Sequence, residues 1–523
     1  MHGPQQFAIP QMRDFVPKVI RPWLVIGIVL IFQLSGSVYL GAVNEMSCSL
    51  ALMQEDILMA GNASMIGLAL CFAIMLRLKF RLPSKPTFVI CAVSLIAANL
   101  ICMYTDSVPV LVSVSFIAGF IRMWATFECN STIQLWLTPK RDLSIFFCYI
   151  YLLVNGVIQL SGITTIYASH WANWAYMHWM AIAALGFVII AVCVLYKNIR
   201  VAPYVPLYGI DWLGAILWAV TMLSVQFVCI YGDFYDWWNS DEICVGSLVG
   251  LTSLGLNLWR ASFVRHPYIN LRIFRYTIVW ITMILYFIID ILLAPSHFIE
   301  HAFMEEILGY DALHTISLNW VSLLGTVVAA FFTWRTFALR KWRYKDMSII
   351  ALVSITLYLV IMYTSLDYDI PKQALILPIF LRSFGYVIFA IILLTALTRI
   401  SFDIFFHSVS FQGFISAGIG GLVGTSIVER IFSCIMERNT MLLSADLDNV
   451  NNATSQIPLE LLYQSLMKHS MIVSMKELYG WLIFGSIALL AFFVLMRTSF
   501  RPKGVIMPKF KRLRKIARHE SLE

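Results

Sequence analysis

Fourteen apolar stretches, each about as long as a bilayer is thick, are separated by short polar links whose charge changes sign from one link to the next. Their approximate limits are 22–43, 57–76, 87–105, 108–137, 143–168, 172–196, 208–231, 243–263, 276–296, 313–334, 347–366, 373–398, 404–431 and 479–496. A helix crosses the hydrocarbon core with about 20 apolar residues, so the pattern predicts an all-α integral membrane protein with fourteen transmembrane helices. The second stretch contains Asn62, and the thirteenth is rich in Ser and Gly. The first does not read as a cleavable signal peptide. It is long, follows 21 polar-flanked residues, and lacks a small-residue cleavage site after its core.

Charge placement tests this layout independently, because cytoplasmic links should be rich in Lys and Arg. With both termini inside, the inside segments hold 30 of the 37 basic residues and 7 of the 29 acidic ones. The outside segments hold 5 basic and 20 acidic residues. Inside clusters are Arg77/Lys79/Arg81/Lys85, Lys140/Arg141, Lys197/Arg200, Arg260/Arg265/Arg272/Arg275 and Arg335/Arg340/Lys341/Arg343/Lys345. A missing or extra span would scramble the alternation beyond it. The net charge of +8 is thus the remainder of an asymmetry across a bilayer and needs no nucleic-acid partner. Only 13% of residues are charged and 60% are hydrophobic, too few charges for a water-facing surface. The ten Cys residues include no C-x-x-C pair; Cys71, Cys91, Cys102, Cys129, Cys148, Cys193 and Cys229 lie in apolar runs and read as small hydrophobes.

Two hydrophilic pieces stand apart. Residues 432–478 form a long outside segment in which Pro458 to Lys476 is expected to be helical, with Leu459, Leu462, Leu466 and Met467 near one stripe. The tail from Arg497 carries Lys509, Lys511, Arg512, Arg514, Lys515 and Arg518. Such a cluster attracts anionic headgroups, and it equally satisfies the positive-inside rule as a solvated tail.

Local motifs carry a resemblance. Gly209-Ile-Asp-Trp-Leu-Gly opens the seventh stretch, and Asp236, Trp237 and Trp238 precede the eighth. Glu306-Ile-Leu-Gly-Tyr-Asp-Ala-Leu precedes the tenth, and Ser416-Ala-Gly-Ile-Gly-Gly-Leu-Val-Gly-Thr-Ser lies in the thirteenth. In these the chain resembles the fourteen-span drug–proton antiporter branch of the major facilitator superfamily, chiefly from about 205 to 500. The resemblance implies two six-helix bundles with an inserted two-helix hairpin. It would divide the chain into a cytoplasmic N-terminus (1–21), an N-terminal bundle (22–200), the hairpin (201–265), a C-terminal bundle (266–500) with a periplasmic loop at 432–478, and a basic cytoplasmic tail (501–523). It further implies proton-coupled efflux of drug-like or amphiphilic compounds across an inner membrane, no cofactor beyond the proton gradient, and docking of a periplasmic adaptor and outer-membrane channel. The first half departs from the family. The gate loop between spans two and three, Leu76-Arg-Leu-Lys-Phe-Arg-Leu-Pro-Ser-Lys85, keeps basic residues but lacks the family's glycines and Asp. The Gly series of span five is reduced to Gly156 and Gly162 without the Pro, and the family's span-one Asp is replaced near Ser35. Arg122 corresponds to the span-four Arg.

Charges in hydrocarbon are costly and functional by default. With charges near the span ends counted in the adjoining links, four remain inside spans: Arg122 and Glu128 in span four, Asp290 in span nine and Arg382 in span twelve. Arg122 and Glu128 are about 240° apart around a helix and need separate partners. Asp290 and Arg382 sit at similar depths, so a contact between them is expected, either as a proton-loading pair or as a static ion pair. His297, Glu300, His301 and Glu305 read as an outside patch; His-x₃-His is a weak zinc pattern, and an acidic, His-bearing surface explains it as well. Gly418, Gly420, Gly421 and Gly424 lack the Lys-Ser/Thr of a phosphate loop and are read, with Gly156 and Gly162, as helix-packing positions. No hydrolase or ATPase motif occurs. The expected function is secondary transport by alternating access. The alternatives are a same-fold importer of an organic solute, a polytopic membrane enzyme, and a non-transporting scaffold.

Overall fold

The computed structural model describes residues 12–138, 142–199, 207, 209–445 and 458–496. Among these, all regular structure is helical apart from isolated bridge residues, of which Met12 and Tyr196 pair with each other. The helices are α1 (Arg21–Leu34), α2 (Val43–Leu50), α3 (Gln54–Arg81), α4 (Ser84–Tyr104), α5 (Val108–Leu137), α6 (Leu143–Trp171), α7 (Ala175–Leu195), α8 (Trp212–Tyr231) and α9 (Asp241–Phe263). They continue with α10 (Thr277–Leu293), α11 (Ile299–Ala302), α12 (Ala312–Ile316), α13 (Asn319–Thr333), α14 (Tyr344–Ser365), α15 (Ile376–Leu397), α16 (Phe402–Gly413), α17 (Gly420–Ala445) and α18 (Leu459–Leu495). Among the described residues, thirteen helices are long and apolar enough to cross a membrane. Each falls on one of the expected stretches.

The remaining stretch, 22–43, is not one helix. α1 has 14 residues, about 21 Å at 1.5 Å per residue, short of a core of about 30 Å. It stops where Ser35 Oγ turns back onto the Ile31 carbonyl at 2.6 Å and the Gly36 amide donates to Leu34.

Span nine departs the other way. It was expected to end at 296, but the apolar helix runs from Thr277 to Ile307, with a 3₁₀ turn at Ala294–Ser296 and a π turn at Phe303–Ile307. Pro295 has no amide hydrogen and cannot continue a regular ladder, so the helix breaks there and resumes. Gly309, at φ +65°, then supplies the left-handed residue that ends it.

The 432–478 segment is likewise largely helix and not loop. α17 has 26 residues and α18 has 37, about 39 Å and 55 Å long. α18 therefore exceeds the hydrocarbon core by about 25 Å. The predicted helix beyond Pro458 is the start of α18, with Pro458 as its N-cap. The two helices are joined by Arg438–Glu477, by Asn439 Nδ2 donating to Ser474 Oγ at 3.1 Å, and by Thr440 and Ser470 hydroxyls 2.7 Å apart. Residues 446–457, the clusters at Lys140/Arg141 and Arg200, the extreme N-terminus and the tail from Arg497 lie outside the described residues.

The chain packs as two compact units: one runs to Tyr286 and includes Leu393–Leu422, the other comprises Phe287–Ile392 and Val423–Arg501. In the first, α1, α4, α5 and α7 share a core of Phe32, Phe88, Leu95, Leu185 and Val192. Cys71, Cys91, Cys102, Cys129 and Cys148 are buried free thiols, whereas Cys193 is exposed. α3 and α5 cross at glycines: a Cβ on Gly67 would lie 2.0 Å from the Phe116 carbonyl oxygen, and one on Gly119 would lie 1.8 Å from that of Ser64. The α8–α9 hairpin packs on α3, with Tyr231 hydroxyl donating to buried Asp56 and Gln226 Nε2 to the Asn62 carbonyl. Its opening motif explains itself. Asp211 caps α8 by accepting from Gly214 N at 3.0 Å and receives Arg260 from α9 at 2.6 Å. A Cβ on Gly214 would meet the Asp211 carboxylate at 2.4 Å. In the second unit, α13 and α15 meet through the buried hydroxyls of Ser322 and Ser383, and Phe389 and Tyr358 are fully enclosed.

Candidate transport site

The second unit contains a buried ion pair, and it is not the expected one. Arg382 on α15 donates to Glu300 on α11, while Tyr358 of α14 donates to the other oxygen of the same carboxylate at 2.7 Å. Arg382 therefore does not pair with Asp290. The depth comparison that linked them assumed span nine ended at 296. Because the helix resumes after Pro295, Glu300 turns inward instead of facing solvent. The signal was present in the sequence: Ile299, Phe303 and Ile307 recur every four residues and are all buried, a helical stripe that runs past the break.

The same correction dissolves the His/Glu patch. Glu300 is buried, while His301 and Glu305 remain together on the exposed side at 3.2 Å. His297 and His301 belong to no metal-binding group of three or more His, Cys, Asp or Glu among the described residues.

Asp290 is half-buried, and its Oδ2 is enclosed without a hydrogen-bond partner among the described residues. α17 backs it closely, since a Cβ on Gly424 would lie 3.5 Å from the Asp290 carbonyl carbon. An enclosed carboxylate oxygen in hydrocarbon requires a proton or a cationic ligand. Of the other glycines in that run, Gly421 faces open space, which does not fit a packing role there. Gly420 begins α17 and Gly418 lies in the π turn Phe414–Ile419. In the first unit Gly162 offers its carbonyl 3.6 Å from where a Cβ on Gly41 would stand, and Gly156 is buried in α6.

Glu128 on α5 finds its partners where α3 turns into α4. Its carboxylate accepts from Lys79 Nζ of α3 at 3.2 Å and from Ser84 Oγ at the start of α4. Lys79 also donates to Ser131 Oγ. The gate loop is thereby reduced to Leu82 and Pro83, with Arg77 and Arg81 inside α3 and Lys85 donating to the Cys193 carbonyl on α7 at 3.0 Å. Thus Glu128 fastens α3, α4 and α5 together.

Arg122, also on α5, is only 9% exposed. Its Nη2 lies 3.7 Å from the Met65 sulfur, and its Nε has no hydrogen-bond partner among the described residues. Sequence reading missed a polar group deeper in the unit. The hydroxyls of Tyr151 on α6 and Tyr286 on α10 meet at 2.7 Å, and Gln412 of α16 donates to Tyr151 at 3.4 Å. Uncharged residues inside apolar runs carry no charge signal that would have marked them.

No family model matches the chain. A curated protein of Bacillus subtilis (strain 168), the uncharacterized MFS-type transporter YhcA, is 23% identical over 265 residues, 50% of this chain and 48% of its own length. The match therefore spans about half of that relative. Among solved structures, a mutant form of the peptide transporter POT aligns with a TM-score of 0.58 at 14% identity, covering 94% of this chain and 98% of that one. A mutant form of the nucleoside transporter NupG aligns at 0.52 and 13% identity, covering 91% and 100%. The chain is a multi-pass membrane protein with the fold of the major facilitator superfamily.

Proposed function

We propose that this protein is a secondary active transporter that works by alternating access and exports drug-like or amphiphilic compounds in exchange for protons. The observation that carries the reading is Asp290: a half-buried carboxylate whose enclosed Oδ2 has no hydrogen-bond partner among the described residues, five residues before a helix break, in a unit whose buried Glu300 is already neutralised by Arg382. A paired acid is held in one state, whereas an unpaired one can exchange a proton with each conformation. Glu128 with Lys79 serves as a latch at the cytoplasmic end. The protein lies in the inner membrane with both termini cytoplasmic, driven by the proton gradient without a cofactor. The hairpin of α17 and α18 reaches beyond the bilayer and is the surface for a periplasmic adaptor and its outer-membrane channel.

Accumulation of a fluorescent amphiphile in a pump-deficient host tests this. Wild-type protein should lower accumulation, an uncoupler should abolish the effect, and Asp290→Asn should match the uncoupled level while remaining in the membrane. Unchanged export by Asp290→Asn would remove this acid from the mechanism. Uptake of an organic solute is the second reading, favoured by the peptide and nucleoside transporters among the structural neighbours; proton-dependent accumulation would select it. Deleting 440–470 should abolish adaptor co-purification if the hairpin docks it.

A further inference from the structure

Three cations inside helices of this protein meet carboxylates: Arg382 meets Glu300, Lys79 meets Glu128, and Arg260 meets Asp211. Arg122 does not. Among the described residues its guanidinium hydrogen-bonds only the Met65 thioether, a weak acceptor that cannot neutralise a charge. Tyr39, the titratable group it interacts with electrostatically, already donates its hydroxyl to Asn99 Oδ1 at 3.1 Å. A guanidinium keeps its proton at any physiological pH. An isolated buried acid can be neutralised by protonation, but an isolated buried arginine needs an anion.

We infer that Arg122 is the anchor of an organic-anion subsite in the first unit, receiving a carboxylate or sulfonate carried on an apolar body. Three helices bring the parts together. α5 supplies Arg122 and, one turn on, Thr126. α1 supplies Gln33, whose Nε2 donates to Thr126 Oγ1 at 2.7 Å and so fixes the polar edge of the site. α3 supplies Met65, and its next residue Ile66 belongs with Met123 and Phe120 to an apolar cluster. The planar fork of an arginine matches a carboxylate or sulfonate through two parallel bonds. This inference deepens the transport reading by naming the substrate class, and rests on it for the claim that the bound anion is cargo.

The test uses the full chain in nanodiscs of zwitterionic lipid, titrated calorimetrically with 2-naphthalenesulfonate, with the neutral 2-naphthalenemethanol and with the cationic 2-naphthylmethylammonium. The sulfonate should bind at least tenfold more tightly than either twin. Arg122→Gln should weaken sulfonate binding at least tenfold and leave the neutral twin unchanged, and Arg122→Lys should retain part of the affinity because it keeps the charge but not the fork. Equal binding of the three probes by wild-type protein would overturn the inference, even if the variants failed to fold. So would undiminished sulfonate binding by a monodisperse Arg122→Gln. The two readings separate in cells: selective sulfonate binding without gradient-driven flux would overturn the transport reading alone, whereas proton-driven export of the neutral or cationic twin without sulfonate binding would overturn the anion subsite alone.

Discussion

Glu300 and Asp290 lie ten residues apart on one interrupted span, and removing the charge from each should have opposite consequences. Arg382→Met leaves the Glu300 carboxylate buried with only Tyr358 as a partner, and breaking a buried pair from one side costs about 3–5 kcal/mol. Glu300→Gln keeps a carbonyl that can accept from Arg382 and Tyr358. It loses the ionic share of those two bonds, about 1 kcal/mol each, or about 2 kcal/mol together. The double variant Arg382→Met/Glu300→Gln removes the stranded charge and should be less destabilised than the sum of the single losses. Asp290→Asn breaks no bond at the unpartnered Oδ2, so its change should stay within about 0.5 kcal/mol while transport is lost. Reversible unfolding in mixed detergent–SDS micelles, followed by tryptophan fluorescence, gives the four stabilities on one scale. Strict additivity in the double variant, or an Asp290→Asn as destabilised as Glu300→Gln, would refute the assignment of Glu300 as the structural acid and Asp290 as the working one.

Three further outcomes are expected. Gly119→Ala places a methyl 1.8 Å from a carbonyl oxygen and should cost at least about 1–3 kcal/mol by overpacking, whereas Gly421→Ala, which meets open space, should be neutral or slightly stabilising in the same unfolding assay. Glu128→Ala removes the acceptor shared by Lys79 and Ser84 and should increase maleimide labelling of a cysteine placed at Pro83, compared with the wild-type background. Lys197 holds the exposed Asp14 carboxyl below its ordinary value through a 2.6 Å hydrogen bond. The sign follows from linkage: this contact is present at neutral pH and is lost as pH falls through the depressed value, so spin labels at positions 15 and 199 should separate only at strongly acidic pH, and separation near pH 6 would contradict the pairing.

Sign-sorted links located the spans because a bilayer forces charge to one side or the other, and that constraint acts residue by residue. What it could not locate were departures inside a span. Ser35 and Gly36 end α1 through local hydrogen bonds, and Pro295 interrupts span nine without ending it. Neither changes the net charge of a link. The misplacement of Glu300 then reassigned the partner of Arg382. Asp211 and Gly214 show the contrary case, in which a cap and a close approach lie within four residues and the resemblance marked the motif, while the bridge to Arg260 closes across the hairpin. Arg122 was visible as a charge in hydrocarbon, but that it lacks a counter-ion became apparent only once α3 and α5 were packed.

α17 and α18, each longer than a hydrocarbon core is thick, form one braced strut, because Arg438, Asn439 and Thr440 tie them side by side. A braced strut is a lever. A tilt of about 10° at the membrane surface would swing the end of a projection about 25 Å long sideways by about 4 Å. Whatever grips its tip would sense the state of the last two spans without touching the substrate, and force applied there would feed back on the same tilt.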